Sequence, residues 1–335
     1  MKLVVSFIFL ITLLSCKDNS NPDVSSIIID LKTERFEKDF FSLDSNRLAA
    51  LYPQLLTKHP SFAENFLTTI LNTDPRWQGD TLQNYLRGFS ASYRPVFDTA
   101  EKIFSDFSSY ENEIATSLKY VKYYFPSYPI PSKVITYIGP MDGYGDILDK
   151  DALIVGLHQH LGKNFSFYKF TWVLETYPDY ISNRFEPGYI SVNAMKNIVN
   201  DMYPEKQDDK TLSLQMVEAG KKLYLLQKLL PSKPEYMLIG YTEMQMKDSY
   251  DHEAVIWDLF TQNNFLQTID QNIIKNYIGE SPKTQELGEA TPGNIGSFAG
   301  WQILKKYMKK NPETTLLQLM NTSDEIIFQQ AKYKP

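Results

Sequence analysis

A stretch past the middle of the chain, residues 211–230 (TLSLQMVEAGKKLYLLQKLL), reads as a helix that must be buried on two sides. Leu212, Met216, Ala219, Leu223, Leu226 and Leu230 recur at spacings of three and four, so they share one face. Leu214, Leu225 and Leu229 build a second stripe on roughly the opposite face, which a surface helix would not need. Asp208 and Asp209 place negative charge at the positive end of the helix dipole, and Pro231 with Pro234 stop the run. Such a helix belongs at the centre of a domain. Glu218 falls within the second stripe, and a carboxylate on a buried side must find a metal or a paired charge.

The chain has the material to surround such a helix: 335 residues, 43% of them apolar and 14% aromatic. That length admits one large domain or two modest ones, and no linker, internal repeat or low-complexity segment divides it. With 34 basic against 40 acidic residues the net charge is -6. No basic surplus is available to neutralise phosphates, so nucleic acid is not an expected partner.

The N-terminus carries its own information. Lys2 is followed by an apolar or hydroxyl run over residues 3–14, then Ser15 and Cys16. The run is too short for a hydrocarbon core of about 30 Å, so it reads as a signal-peptide core rather than a membrane span. Leu13-Leu14-Ser15-Cys16 resembles a bacterial lipobox, which implies cleavage before Cys16 and acylation of that residue, the only cysteine of the chain. The mature protein then has no disulfide to form. The expected organisation is a signal peptide over 1–15, a lipid anchor and polar tether over 16–26, and a single domain over 27–335. Lys17-Asp18 faintly resembles the surface-export signal of some Bacteroidota lipoproteins and leaves the leaflet open.

Within the domain, residues 27–29 read as an opening strand, followed by core anchors Phe36, Phe40 and Phe41. Helices are expected over 47–58, 61–72 (Ser61 as N-cap, Glu64 completing a capping box), 81–89, 95–124, 191–202, 211–230, 242–260, from Pro292 onward, and over 325–331. Residues 134–138 and 152–157, rich in Val and Ile, read as buried strands joined by a hairpin-like connection over 143–151. Gly296 and Gly300, one turn apart, would let another backbone approach closely. The fold class is α+β, mostly helical, with one small sheet.

Chemistry has few places to reside. His158 and His160 stand two apart at a strand end and face one side, but no third ligand lies at nearby spacing and a zinc site needs three or four. They read as exposed strand-end histidines. His59 and His252 sit in separate polar contexts. There is no G-x-S-x-G elbow and no Gly-rich phosphate loop. Residues 141–146 (MDGYGD) read as a turn, without the ligand spacing of an EF-hand.

Further landmarks then fall in order: Arg35-Phe36-Glu37-Lys38-Asp39; Tyr123-Tyr124-Phe125-Pro126; Pro131-Ser132-Lys133-Val134-Ile135-Thr136; Leu153-Ile154-Val155-Gly156-Leu157; Ala219-Gly220-Lys221-Lys222-Leu223-Tyr224; Ile239-Gly240-Tyr241-Thr242-Glu243; Pro292-Gly293-Asn294-Ile295-Gly296; and Gly300-Trp301-Gln302-Ile303. In this order they resemble the gliding-motility lipoprotein GldB family of Bacteroidota over nearly the whole mature chain. The same landmarks resemble, more distantly, zincin-like metalloproteases, where a helix bearing H-E-x-x-H follows the strand pair and a later helix offers a glutamate as third ligand. Here the first of those helices reads SVNAMKNIVNDM, without histidine. Its nearest polar pairs are Asn193 with Asn197 and Asn197 with Asp201, and carboxamides are poor zinc ligands.

The resemblance therefore implies a degenerate zincin-like domain, with Asn193, Asn197 and Glu218 at the vacated site positions and Glu218 paired to Lys222 or to a donor on the 193–200 helix. It implies a lipid-anchored envelope protein that serves gliding motility and type IX secretion by binding other envelope proteins, without cofactor or catalysis. The alternative is a membrane-anchored zinc metallohydrolase using His158, His160 and Glu218. A third reading is a binder of envelope fragments such as muropeptides in the old cleft.

Overall fold

The computed structural model describes residues 21–205, 210–288 and 291–335, so Cys16, the signal run, Asp208 and Asp209 lie outside the described residues. The two Val- and Ile-rich runs form β2 (Lys133–Tyr137) and β4 (Ala152–Gly156). They pair in parallel, Ile135 opposite Ile154, so residues 143–151 do not close a hairpin. Strands buried on both faces are the kind that parallel sheets use, and a parallel pair needs a crossover. That crossover carries β3 (Ile147–Leu148), which pairs antiparallel with β4. β1 (Lys32–Arg35) lies parallel to β2 and completes the order β1-β2-β4-β3.

Residues 27–29 are not part of the sheet, and Ile28 is exposed. An edge strand buries little, so the polar sequence KTER serves there and the apolar triplet is not needed. β1 runs straight into α1 (Phe36–Ser42), where Phe36, Phe40 and Phe41 are buried as the sequence requires. Phe36 packs on Phe62 and Phe66, with ring centroids 4.9 and 4.8 Å away, and both of those rings reach Tyr137 on β2. His59, at the end of α2 (Leu48–Lys58), is buried between Glu34 at 2.8 Å and Asp39 at 2.7 Å, and so ties β1 to α1. Ser61 stands at the expected N-cap position, before a helix that starts at Phe62, but its φ of 40° is left-handed and it makes no side-chain cap bond, so the capping box with Glu64 does not form.

Two expected helices are broken. The 95–124 run divides between α3 (Gly79–Ile103), which absorbs residues 81–89 and passes through Pro95, and α4 (Ser108–Tyr124). Asp106 restarts the chain by accepting the Ser108 N–H at 2.9 Å. The 242–260 run divides at His252 between α8 (Glu243–Asp251) and α9 (Glu253–Gln262). The break is local: His252 has φ -117° and ψ 22°, outside helical geometry, while its N–H still reaches the Asp248 carbonyl at 3.0 Å.

The centre is built from α5 (Ile190–Met202), α6 (Leu212–Leu229) and α10 (Ile295–Lys310), with α7 (Glu235–Ile239) preceding α8, and α11 (Leu316–Asn321) and α12 (Asp324–Ala331) closing the chain. α6 is central, as its two stripes require: Leu212, Met216, Leu226 and Leu230 are buried, and so are Leu225 and Leu229. Ala219, Leu223 and Leu214 are only half-buried. Lys221 is buried, with its ammonium 2.5 Å from the Thr322 carbonyl and 2.7 Å from Asp324. α6 crosses α10 at backbone contact. A Cβ on Gly300 would lie 1.7 Å from the Met216 carbonyl oxygen, and one on Gly220 would lie 2.4 Å from the Gly300 carbonyl. Gly296 takes a different neighbour, the Tyr277 carbonyl, 2.8 Å from where its Cβ would be. Among the described residues no helix is long and apolar enough to cross a membrane.

The crossing gives a sign test. Helix propensity alone favours Ala over Gly by about 1 kcal/mol in a helix interior. Overpacking here should instead make Gly300→Ala destabilising by about 3 kcal/mol or more. Urea unfolding checks this; a stabilised Gly300→Ala would contradict the crossing.

Candidate functional site

The polar residues of the 141–160 region converge on one carboxylate, Asp146, only 6% exposed. Tyr137 shapes the turn that presents it, its hydroxyl reaching the carbonyls of Tyr144 at 2.6 Å and Gly145 at 2.8 Å. Tyr177 donates to the Gly143 carbonyl at 2.7 Å. Asp146 then accepts from the Gly156 N–H at 3.0 Å and from the Asn193 amide at 2.9 Å, while its own main-chain carbonyl accepts from Asn197 at 3.0 Å. One turn of α5 thus grips the loop that joins β2 to β4.

The two histidines are fully buried, in a short 3-10 turn after β4, rather than exposed at a strand end. Their protonation follows from their partners. His160 has Asp146 at 2.9 Å from Nε2 and the Glu186 carbonyl at 3.2 Å from Nδ1. Both neighbours only accept, so both ring nitrogens donate and the ring is an imidazolium. Burial opposes that charge, but Asp146 outweighs it and the His160 pKa is raised. At His158 the Gly139 N–H donates to Nδ1 at 3.1 Å, and Nε2 donates to the Tyr144 carbonyl at 3.0 Å. That ring is neutral, and burial pulls its pKa down to about 4. Each ring nitrogen is already in use.

Glu218 lies elsewhere, on the wall of a cavity of about 580 Å³ between α5, α6 and α7. Its partner is neither Lys222 nor an amide of α5: Lys210 reaches it at 2.8 Å and also meets Asp324 at 3.2 Å. Lys222 turns instead to Asn200 at 3.1 Å and, more loosely, to Glu205 at 3.7 Å. The residues of α5 that share the cavity with Glu218 are Lys196, Val199 and Asn200, whereas Asn193 and Asn197 face Asp146. Positions 193 and 197 form one stripe of α5 and 196 and 200 the stripe beside it, so the two pairs point in neighbouring directions. Leu223, Leu226, Leu238, Ile239 and Ile278 make the apolar wall.

A zinc ion beside Glu218 would meet an ammonium at Lys196 and a carboxamide at Asn200, so these residues do not fit that metal. Among the described residues no three of His, Cys, Asp and Glu are grouped to hold an ion, the 141–146 turn included. Lys196 is half-buried; the loss of solvent around it, with the nearby Arg184 charge, lowers its pKa to about 8 against the opposing pull of Glu280. Sequence reasoning missed both Asp146 and Lys196. The signal for Lys196 was present, a cation within the apolar series Val192, Met195, Val199.

These features define a helical α+β protein with a buried carboxylate hub and, on another side of α5, a helix-walled cavity. The chain belongs to the gliding motility protein GldB family, whose family model matches residues 17–335. No curated protein and no solved structure matches it.

Removal of the hub charge should be costly. Asp146→Asn leaves a buried imidazolium without its counter-ion, and we expect a loss of about 3 kcal/mol by urea unfolding at pH 6. A raised histidine pKa contributes stability that is full below about pH 6.5 and is lost as pH rises through the folded-state value. The deficit of Asp146→Asn should therefore shrink from pH 6 to pH 9; a deficit that grows over that range would contradict the imidazolium.

Proposed function

We propose that this member of a gliding motility family acts as a lipid-anchored, non-catalytic binding protein of the cell envelope, serving motility and the associated type IX secretion machinery through other envelope proteins. In this reading residues 1–15 are a signal peptide, Cys16 carries the acyl chains, residues 16–26 form the tether, and 27–335 fold as one domain. The observation that supports it is that each candidate residue for zinc chemistry is engaged elsewhere in the fold. His158 and His160 spend both ring nitrogens on the fold, and Glu218 is paired to Lys210. Asn193 and Asn197 hold Asp146. A degenerate zincin ancestry belongs to the same reading, supported by a shared cavity wall of α5 and α6. The match from residue 17 onward, directly after Cys16, accords with a lipidated mature N-terminus.

Wild type and Cys16→Ser, each produced in the gliding host from the native locus, test the proposal together. The wild type should fractionate with membranes, support spreading, and carry far less than one zinc per chain. Cys16→Ser should be released from the membrane and spread poorly. Normal membrane association and spreading of Cys16→Ser would refute the anchor. One zinc per chain with chelator-sensitive peptidase activity would refute the non-catalytic role.

A further inference from the structure

The cavity beside α5 has a charge imbalance that points to a ligand. Each acid on its wall has its own cation: Glu218 has Lys210 at 2.8 Å, Glu280 has Arg184 at 2.8 Å, and Glu205 has Lys222 at 3.7 Å. Lys196 makes no hydrogen bond and no close ion pair among the described residues, although it is half-buried on that wall; the one acid that draws on its charge, Glu280, is itself held by Arg184. An ammonium drawn partly out of water with no bonded counter-ion weakens a fold, and a methionine would fill similar space without that penalty. What Lys196 lacks is an anion in contact with it, and the cavity has room to admit one.

We propose that this cavity is a binding site for a small amphiphilic carboxylate, its anionic end on the Lys196 ammonium and its apolar part against Leu226, Leu238 and Ile239. The size fits: about 580 Å³ lies within the range of about 300–1,000 Å³ typical of small-molecule sites. The charge count selects a monoanion, because Lys196 is the one lysine of this wall that no acid there already binds, and a dianion such as a phosphate monoester would leave a charge uncompensated. Asn294 adds a donor: its carbonyl oxygen accepts the Gly279 N–H at 3.0 Å, which leaves its NH₂ to offer. A fatty-acid tail and an apolar residue with a free carboxyl terminus share this chemistry. The inference goes beyond the motility reading and does not depend on it, since a ligand site of this kind suits a binding protein or an enzyme.

Calorimetric titration of the full lipid-anchored chain in non-ionic detergent tests it, with hexanoate and N-acetyl-leucine as probes. At least one should bind saturably, one per chain, with a Kd below about 1 mM. Its methyl ester should bind the wild type at least about tenfold more weakly, because the charge that Lys196 requires is gone. Lys196→Met should show the same loss for the acid, and Lys196→Arg should recover part of it. Hexanoate alone would assign the fatty-acid source, N-acetyl-leucine alone the peptide-like source, and both together the shared chemistry. No saturable binding of either probe, or acid and ester bound equally by the wild type, would overturn the proposal. The ester comparison needs no variant, so it stands even where Lys196→Met fails to fold.

Discussion

The contact between α6 and α10 sets the arrangement of the central helices. Two helices normally pack with their axes about 8–10 Å apart because side chains stand between them. Here Gly220 and Gly300 let the Met216 carbonyl and the Gly300 backbone touch, so α10 lies against α6 with no side chain between them at the crossing. α10 can approach so closely because it is buried continuously from Ile295 to Leu304. α10 meets α6 at Met216 and Gly220, while Glu218, Ala219, Lys222 and Leu223 of α6 wall the cavity, to which α10 adds Ser297.

A second constraint fixes α5. The loop between β2 and β4 must be crossed by buried polar backbone, and buried polar groups have to be satisfied. Tyr137, Tyr177 and His158 satisfy the carbonyls of residues 143–145, and Asp146 gathers Asn193, Gly156 and His160. Asn193 and Asn197 therefore orient α5 with its amides toward the sheet, which turns Lys196 and Asn200 toward α6. The same helix shows a satisfied, closed polar face to the strands and an unsatisfied cation to the cavity.

Much of this was legible before the fold was seen, and the failures have physical reasons. The central helix, the two buried strands, the aromatic anchors of α1 and the glycines of α10 follow from period, β-branching and composition. Strand direction did not, because periodicity in β2 and β4 is the same in either orientation. Helix breaks at Asp106 and His252 were invisible, since neither proline nor glycine marks them. Among the site residues, Glu218 and the histidines stood out as chemical types, yet their roles depend on partners outside their own elements: Lys210, before the helix, for one, Asp146 and Glu186 for the other. Pairing of this sort leaves no local pattern. Lys196 was the exception, a charge inside an apolar series that local reading had the means to notice.

In the proposed function the histidines near the β4 terminus serve the fold and not a metal. Nitrogen-15 spectra of the ring nitrogens of His158 and His160, recorded across pH with and without one equivalent of zinc, test it most directly. His158 should stay neutral until pH falls toward about 4, and His160 should titrate above the ordinary histidine range. Zinc should leave both sets of resonances in place. Zinc-induced shifts in both rings, with loss of the His160 proton, would contradict the account.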